Sequence, residues 1–143
     1  MVVRPIARAW RVLVLRRARD VRRAGSWEVV HGSIEKGEKP AAAAVREVRE
    51  ESGLTVRTLY SITVNPFYLH QTDTVQLALV FAAFVRESRV TLGPEHDAFD
   101  WLTVAQASRR FAWPREAEAL AHVRRLLKAG HAGAVDDVLR VFG

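Results

Sequence analysis

Apolar residues alternate with polar or small ones along residues 1–17, around Val2, Ile6, Ala9, Val12, Val14 and Leu15. A period of two is that of a strand, so this stretch predicts one long strand or two short ones, with a bend near Pro5. A polar loop over 19–26 leads to a short strand over 27–30. The period then changes. Residues 39–52 predict a helix: Pro40 suits a first turn, where a missing N–H costs little. Ala41 to Ala44 are strong helix formers, and Gly53 supplies a C-terminal stop. Residues 54–64 predict a strand closed by an Asn65-Pro66 turn. Residues 74–85 carry the strongest strand pattern. Val75, Leu77, Leu79, Phe81 and Ala83 share one side and Ala78, Val80, Ala82 and Phe84 the other, which predicts burial of both faces.

A loop over 86–94, interrupted by the β-like Val90-Thr91-Leu92, precedes a short strand over 99–102. Thr103 predicts the N-cap of a short helix. Pro114 opens a longer helix to about Lys128, with Ala117, Leu120, Ala121, Val123, Leu126 and Leu127 on its apolar side. Gly130 ends it, and the tail over 131–143 predicts one or two more helical turns. A β-rich core with two substantial helices reads as an α/β sandwich, and 143 residues suit a single domain over 1–143, its C-terminal helix and tail spanning about 114–143. Hydrophobic content of 49% and charged content of 27% are ordinary for a soluble domain. No apolar run is long enough for a membrane span, no secretory signal is visible, and cysteine is absent. The expected location is the cytoplasm.

The net charge of +6 comes mostly from arginines dispersed along the chain. Nucleic-acid binding is not expected, because a footprint for it clusters basic residues. The acidic residues are more informative. At 3.6 residues per turn Glu47, Glu50 and Glu51 fall at i, i+3 and i+4, on one helical face. Like charges at that spacing destabilise a helix, and a divalent cation removes the penalty. Mg²⁺ prefers oxygen ligands and shares its shell among carboxylates, water and phosphate. Arg46 is placed to pair with Glu38 and fix the preceding loop against the helix.

Residues 32–54 also carry a longer pattern: Gly32, five residues, Glu38, seven residues, then Arg46-Glu47-Val48-Arg49-Glu50-Glu51-Ser52-Gly53-Leu54. This segment resembles the box of the Nudix superfamily, hydrolases of diphosphate linkages. The resemblance implies a Nudix-type α/β/α sandwich, with a mixed β-sheet between helices and the box helix as catalytic element. It implies Glu50 and Glu51 as metal ligands, Glu47 as ligand or general base, and the main-chain carbonyl of His31 as a further ligand. Glu95 becomes a second candidate base or ligand, while Gly32, Glu38, Arg46 and Gly53 support the box. The cofactor implied is Mg²⁺, with Mn²⁺ as an alternative.

Two further segments, Trp27-Glu28-Val29-Val30-His31-Gly32-Ser33-Ile34-Glu35-Lys36-Gly37-Glu38 and Glu95-His96-Asp97-Ala98-Phe99-Asp100-Trp101-Leu102, are similar to bacterial dihydroneopterin triphosphate pyrophosphatases, also described as dATP pyrophosphohydrolases. The expected reaction is hydrolysis of a nucleoside or pterin triphosphate to monophosphate and pyrophosphate. The alternatives are a dinucleoside polyphosphate hydrolase and a non-catalytic nucleotide sensor. Trp27, Phe67, Tyr68 and Trp113 are candidates to stack on a purine or pterin, the best being Phe67 and Tyr68, read as loop residues after Asn65-Pro66. Arg4, Arg8 and Arg17 are candidates for phosphate, and His96 reads as structural or second to the ligands. The apolar tail is expected to pack against a partner subunit in a homodimer.

Overall fold

A computed structural model describes residues 1–7, 9–128 and 130–143. Strand β1 (Val2–Ile6) and strand β2 (Ala9–Arg17) pair antiparallel, Val3 opposite Val12 and Pro5 opposite Trp10. The break falls at Ala7, whose φ is 52°, rather than at Pro5, which stays in the ladder. Strand β3 is short (Trp27–Glu28) and is followed by helix α1 (Pro40–Ser52). Gly53 caps α1 at φ 69°, its N–H donating to the Arg49 carbonyl at 2.8 Å. Then come β4 (Thr58–Leu69), β5 (Thr74–Phe84), β6 (His96–Leu102), α2 (Val104–Arg110) and α3 (Pro114–Leu126). Thr103 caps α2 as its sequence predicts, in a reciprocal capping box with Gln106. The chain closes with a 3₁₀ turn over Gly133–Val135, a one-turn helix α4 (Asp136–Leu139) and strand β7 (Arg140–Phe142).

The strands form one mixed sheet in the order β3-β2-β1-β5-β4-β7, with β6 also pairing with β2. Val12 faces both Val3 and Leu102, and Leu15 faces both Glu28 and Phe99. β6 therefore holds one edge of β2 while β1 and β3 share the other. β1 and β5 run parallel, Val2 opposite Ala83 and Val3 opposite Phe84. Alternation divides the side chains between two cores. Val2, Leu13, Leu15, Leu59 and Ala83 pack with Val48 of α1. Val3, Val12, Val14, Tyr60 and Phe84 pack with Leu120 and Val123 of α3 and Ala107 of α2. Each fully buried Val or Leu contributes roughly 1.5–3 kcal/mol. The sheet is thus covered on both faces, the α/β/α sandwich expected.

Three sequence expectations change. Asn65-Pro66 is not a turn: β4 continues to Leu69, with Pro66 opposite Leu77. Proline is tolerated because β7 pairs with β4 only at Leu59 and Tyr60, leaving this stretch an edge strand. Phe67 and Tyr68 are consequently strand residues. The N-terminal half of β5 is not buried on both faces: Val75 is 68% and Leu77 67% exposed, and full burial is reached at Ala82. Finally, the tail does more than extend a helix. β7 adds to the chain's own sheet, Phe142 opposite Leu59.

Candidate active site

Helix α1 and the loop before it form the first half of the site. Arg46 gathers the acidic residues around its guanidinium: Nε and Nη2 donate to Glu38 at 3.0 and 2.9 Å, and Nη1 donates to Glu47 at 2.7 Å and Glu50 at 3.1 Å. Nη2 also donates to the Ser33 carbonyl at 2.9 Å, tying the loop to the helix. These contacts hold the Glu38 carboxyl below the usual carboxylate range, the Arg46 hydrogen bonds being the main cause. Gly32 leaves room for the Glu47 carboxyl group, which a Cβ there would push aside. Gly93, on the loop before β6, is confined by backbone: a Cβ would lie 2.8 Å from the Glu50 carbonyl oxygen. Its N–H donates to the Glu51 carbonyl, and so docks that loop against the end of α1.

The second half lies deeper. Arg17, the last residue of β2, donates through Nη1 to Glu95 at 2.7 Å and to Glu28 at 3.3 Å. His96 Nε2 lies 3.3 Å from the same Glu28 oxygen. Glu28 is 0% exposed and Glu51 8% exposed. Burial raises the proton affinity of both, yet they end on opposite sides of the ordinary value. For Glu28 the His96 hydrogen bond and the charges of His31, Arg23 and Arg17 outweigh burial and lower the pKa. Glu51 is pushed up to about 8 by burial, then by the Glu47 carboxylate; the His31 main-chain N–H acts against this, and Glu28 and Glu95 add to it. One oxygen of each, Oε2, is buried without a hydrogen-bond partner among the described residues.

Among the described residues, no three His, Cys, Asp or Glu side chains converge closely enough to hold a metal ion unaided. The donor set nevertheless fits a hard divalent cation. It is all oxygen, its buried member Glu51 carries an unpaired oxygen, and burial together with neighbouring carboxylates makes that residue's charge unfavourable until a cation joins it. Mg²⁺ needs only one or two protein carboxylates when phosphate and water fill the rest of its shell. Glu50 is an exposed side chain and can turn from Arg46 toward such an ion.

Beside α1 lies a cavity of about 470 Å³, bounded by the Gly32–Ile34 loop, the first turns of α1, β5 and Arg115. Glu47 and His31 lie on its wall, and Ala43, Leu77, Leu79 and Phe81 make much of it apolar. Of the residues predicted to bind substrate, Phe67 lines it. Its ring is covered on one side by the Arg115 guanidinium, 4.5 Å from the centroid. Tyr68 points away along the strand alternation and bonds Asp73 at 2.8 Å. Trp27 lies against the guanidinium groups of Arg110 and Arg16. Arg4 donates to the Arg86 carbonyl, and Arg17 is buried in its ion pairs rather than free for phosphate. Arg8 lies outside the described residues. Glu28 and Arg115 did not stand out in the sequence: a strand glutamate next to a tryptophan looks like any solvent-facing residue until β2 and β6 close over it.

The NUDIX domain family matches residues 1–123. A protein named "Octanoyltransferase" from Myxococcus xanthus is 42% identical over 103 residues, 70% of this chain and 28% of that protein. A Mycobacterium tuberculosis protein named "Putative 8-oxo-dGTP diphosphatase 2" is 42% identical over 59 residues, 41% of this chain and 42% of that one. The chain thus spans less than half the length of these relatives. The E. coli dihydroneopterin triphosphate pyrophosphohydrolase structure is similar with a TM-score of 0.66 at 25% identity, over 91% of this chain and 94% of that one. With the family match covering most of its length and α1 seated against the sheet, the chain belongs to the Nudix family.

Proposed function

We propose that the protein hydrolyses a phosphoric anhydride bond in a nucleoside or pterin triphosphate, giving the monophosphate and pyrophosphate, with Mg²⁺ as cofactor and Mn²⁺ as a substitute. The observation that carries this reading is Glu51, a buried carboxylate with an unpaired oxygen in the field of Glu47, Glu28 and Glu95, on the same helix as the Glu47 that lines a cavity of about 470 Å³. The names of the M. tuberculosis relative and the E. coli structure point the same way. The M. xanthus name does not carry over, because carboxylates and guanidinium groups suit phosphate chemistry better than acyl transfer.

In this reading Glu47, Glu50 and Glu51, with the His31 main-chain carbonyl, hold the metal ion. When bound, that ion neutralises phosphate charge and increases the acidity of water. The remaining work falls to the chain. Arg46 positions Glu47 and Glu50 against the loop. Arg17 holds Oε2 of Glu95, leaving Oε1 of this half-exposed side chain to accept a proton from the attacking water. The apolar wall of Leu77, Leu79 and Phe81 shelters the ring system that ends the polyphosphate chain.

The test is turnover by purified protein in millimolar Mg²⁺, with products separated by chromatography. The panel holds nucleoside triphosphates, dihydroneopterin triphosphate and a dinucleoside tetraphosphate. Monophosphate plus pyrophosphate, lost on adding a chelator, is the expected result. An asymmetric split of the dinucleotide as the sole activity, or no product at all, defeats the proposal.

A further inference from the structure

A second buried carboxylate lies in a recess that adjoins the cavity, and the phosphate chemistry has no use for it. Glu116 enters from the first turn of α3 and is 3% exposed. Its Oε1 lies 2.6 Å from His31 Nε2, and its Oε2 has no hydrogen-bond partner. Among the described residues no Arg or Lys pairs with it. Arg115, its neighbour, is engaged elsewhere, with its guanidinium stacked 4.5 Å from the Phe67 ring and 4.9 Å from the Trp113 ring. Glu116 and Asn65 line a recess of about 80 Å³. Val30, His31, Leu79, Phe81 and Arg115 line both this recess and the larger cavity, so the two adjoin.

A carboxylate only accepts hydrogen bonds, and its two oxygens match a pair of parallel N–H donors. A flat ring that reaches the recess is therefore read by the donors on its edge. A 2-amino-4-oxo pyrimidine ring, common to guanine and pterin, places a ring N–H beside an amino group. Adenine places its amino group beside a bare nitrogen, whose lone pair would face the carboxylate. We propose that Glu116 is a specificity residue that selects guanine-type or pterin rings over adenine. This rests on the nucleotide or pterin triphosphate reading above and narrows it. His31 links the two ends of the ligand: its ring holds Glu116 while its main-chain N–H faces Glu51.

The test measures calorimetric binding of dGMP and dAMP in chelator, then Mg²⁺-dependent turnover of dGTP and dATP. The native protein should bind dGMP at least tenfold more tightly than dAMP, because a buried acceptor left facing a lone pair discriminates strongly. Glu116→Gln presents an acceptor beside a donor, the complement of adenine, and should shift the preference toward dAMP. A gain for dAMP cannot come from a misfolded variant. Glu118→Gln, exposed on the same helix, should leave the preference unchanged. Equal binding of dGMP and dAMP by the native protein, or equal weakening of both by Glu116→Gln, overturns the assignment. Hydrolysis without base preference sinks the Glu116 reading and leaves the reaction standing. Selective binding without hydrolysis does the reverse.

Discussion

The two acidic clusters to which α1 contributes are built from the same residue type and end in opposite states. The outer one, Glu38, Glu47 and Glu50 on Arg46, is complete, with a guanidinium donor for each carboxylate. The inner one, Glu28, Glu51 and Glu95, has the buried Arg17, which reaches Glu28 and Glu95, and Arg23 3.8 Å from Glu28; among the described residues no Arg or Lys pairs with Glu51. Both clusters contain more acids than arginines. The difference is solvent. Water reaches Glu50 and Glu95 at the rims of the two clusters, whereas burial at the centre of the inner one leaves Glu51 with a raised proton affinity and Glu28 and Glu51 each with an unpaired oxygen. A finished cluster gives rigidity, and an unfinished one gives a place for a ligand of the missing sign.

The largest expected effect comes from the inner side. On the proposed reaction, Glu51→Gln should lower kcat by about a thousandfold or more, an effect on the scale of losing a major electrostatic contribution. The same substitution separates stability from activity. The folded-state pKa of Glu51 is raised to about 8 from an unfolded value of 4.5, so the folded state binds the extra proton. Its contribution is fully present below about 4.5 and is lost as pH rises toward 8. Metal-free native protein should therefore lose stability across that window in thermal melts, and Mg²⁺ should restore it. Glu51→Gln should flatten that portion of the profile. A native profile that is already flat would falsify the account of the inner cluster as short of a cation.

Arg46→Ala tests the outer cluster. It removes the shared partner of three carboxylates and the tie to Ser33. A lower midpoint in denaturant unfolding is expected, with activity reduced about ten- to a hundredfold through displaced Glu47 and Glu50. Arg46→Lys should recover little, since one ammonium group cannot reproduce the planar fork. Full activity in either variant would show that the two clusters are independent.

The smallest effect concerns the helix end between the clusters. Gly53→Ala, at φ 69° and with Thr91 3.1 Å from a new Cβ, should cost about 1 kcal/mol in stability. Turnover should change little, because the Glu51 carboxylate is fixed by burial rather than by the cap. A tenfold drop in kcat would mean that the helix end itself sets the inner geometry.

What the chain discloses before folding follows this division. The outer cluster was legible because its partners lie on one helix and the loop beside it, at spacings that helical geometry translates directly. Pro40, Gly53 and the Thr103-Gln106 box were legible for the same local reason. The strand through Pro66 was not, because local turn propensity yields to sheet pairing when an edge position needs no N–H. The exposure of the first half of β5 is not legible either, because alternation gives the faces of a strand but not what covers them. Glu28 and Glu116 were hidden in a different way, since a buried acid and a surface acid are the same letter.

Sequence separation gives these contacts an order in time. Arg46 reaches Glu38 across 8 residues and Ser33 across 13, whereas Arg17 reaches Glu95 across 78 and His31 reaches Glu116 across 85. Short loops close at little entropic cost and long ones only after the intervening chain is organised. A partly folded chain, or residues 32–54 grafted onto another scaffold, would keep the scaffolding of the site without its working interior. Assembly of the sheet is then the step that completes the site.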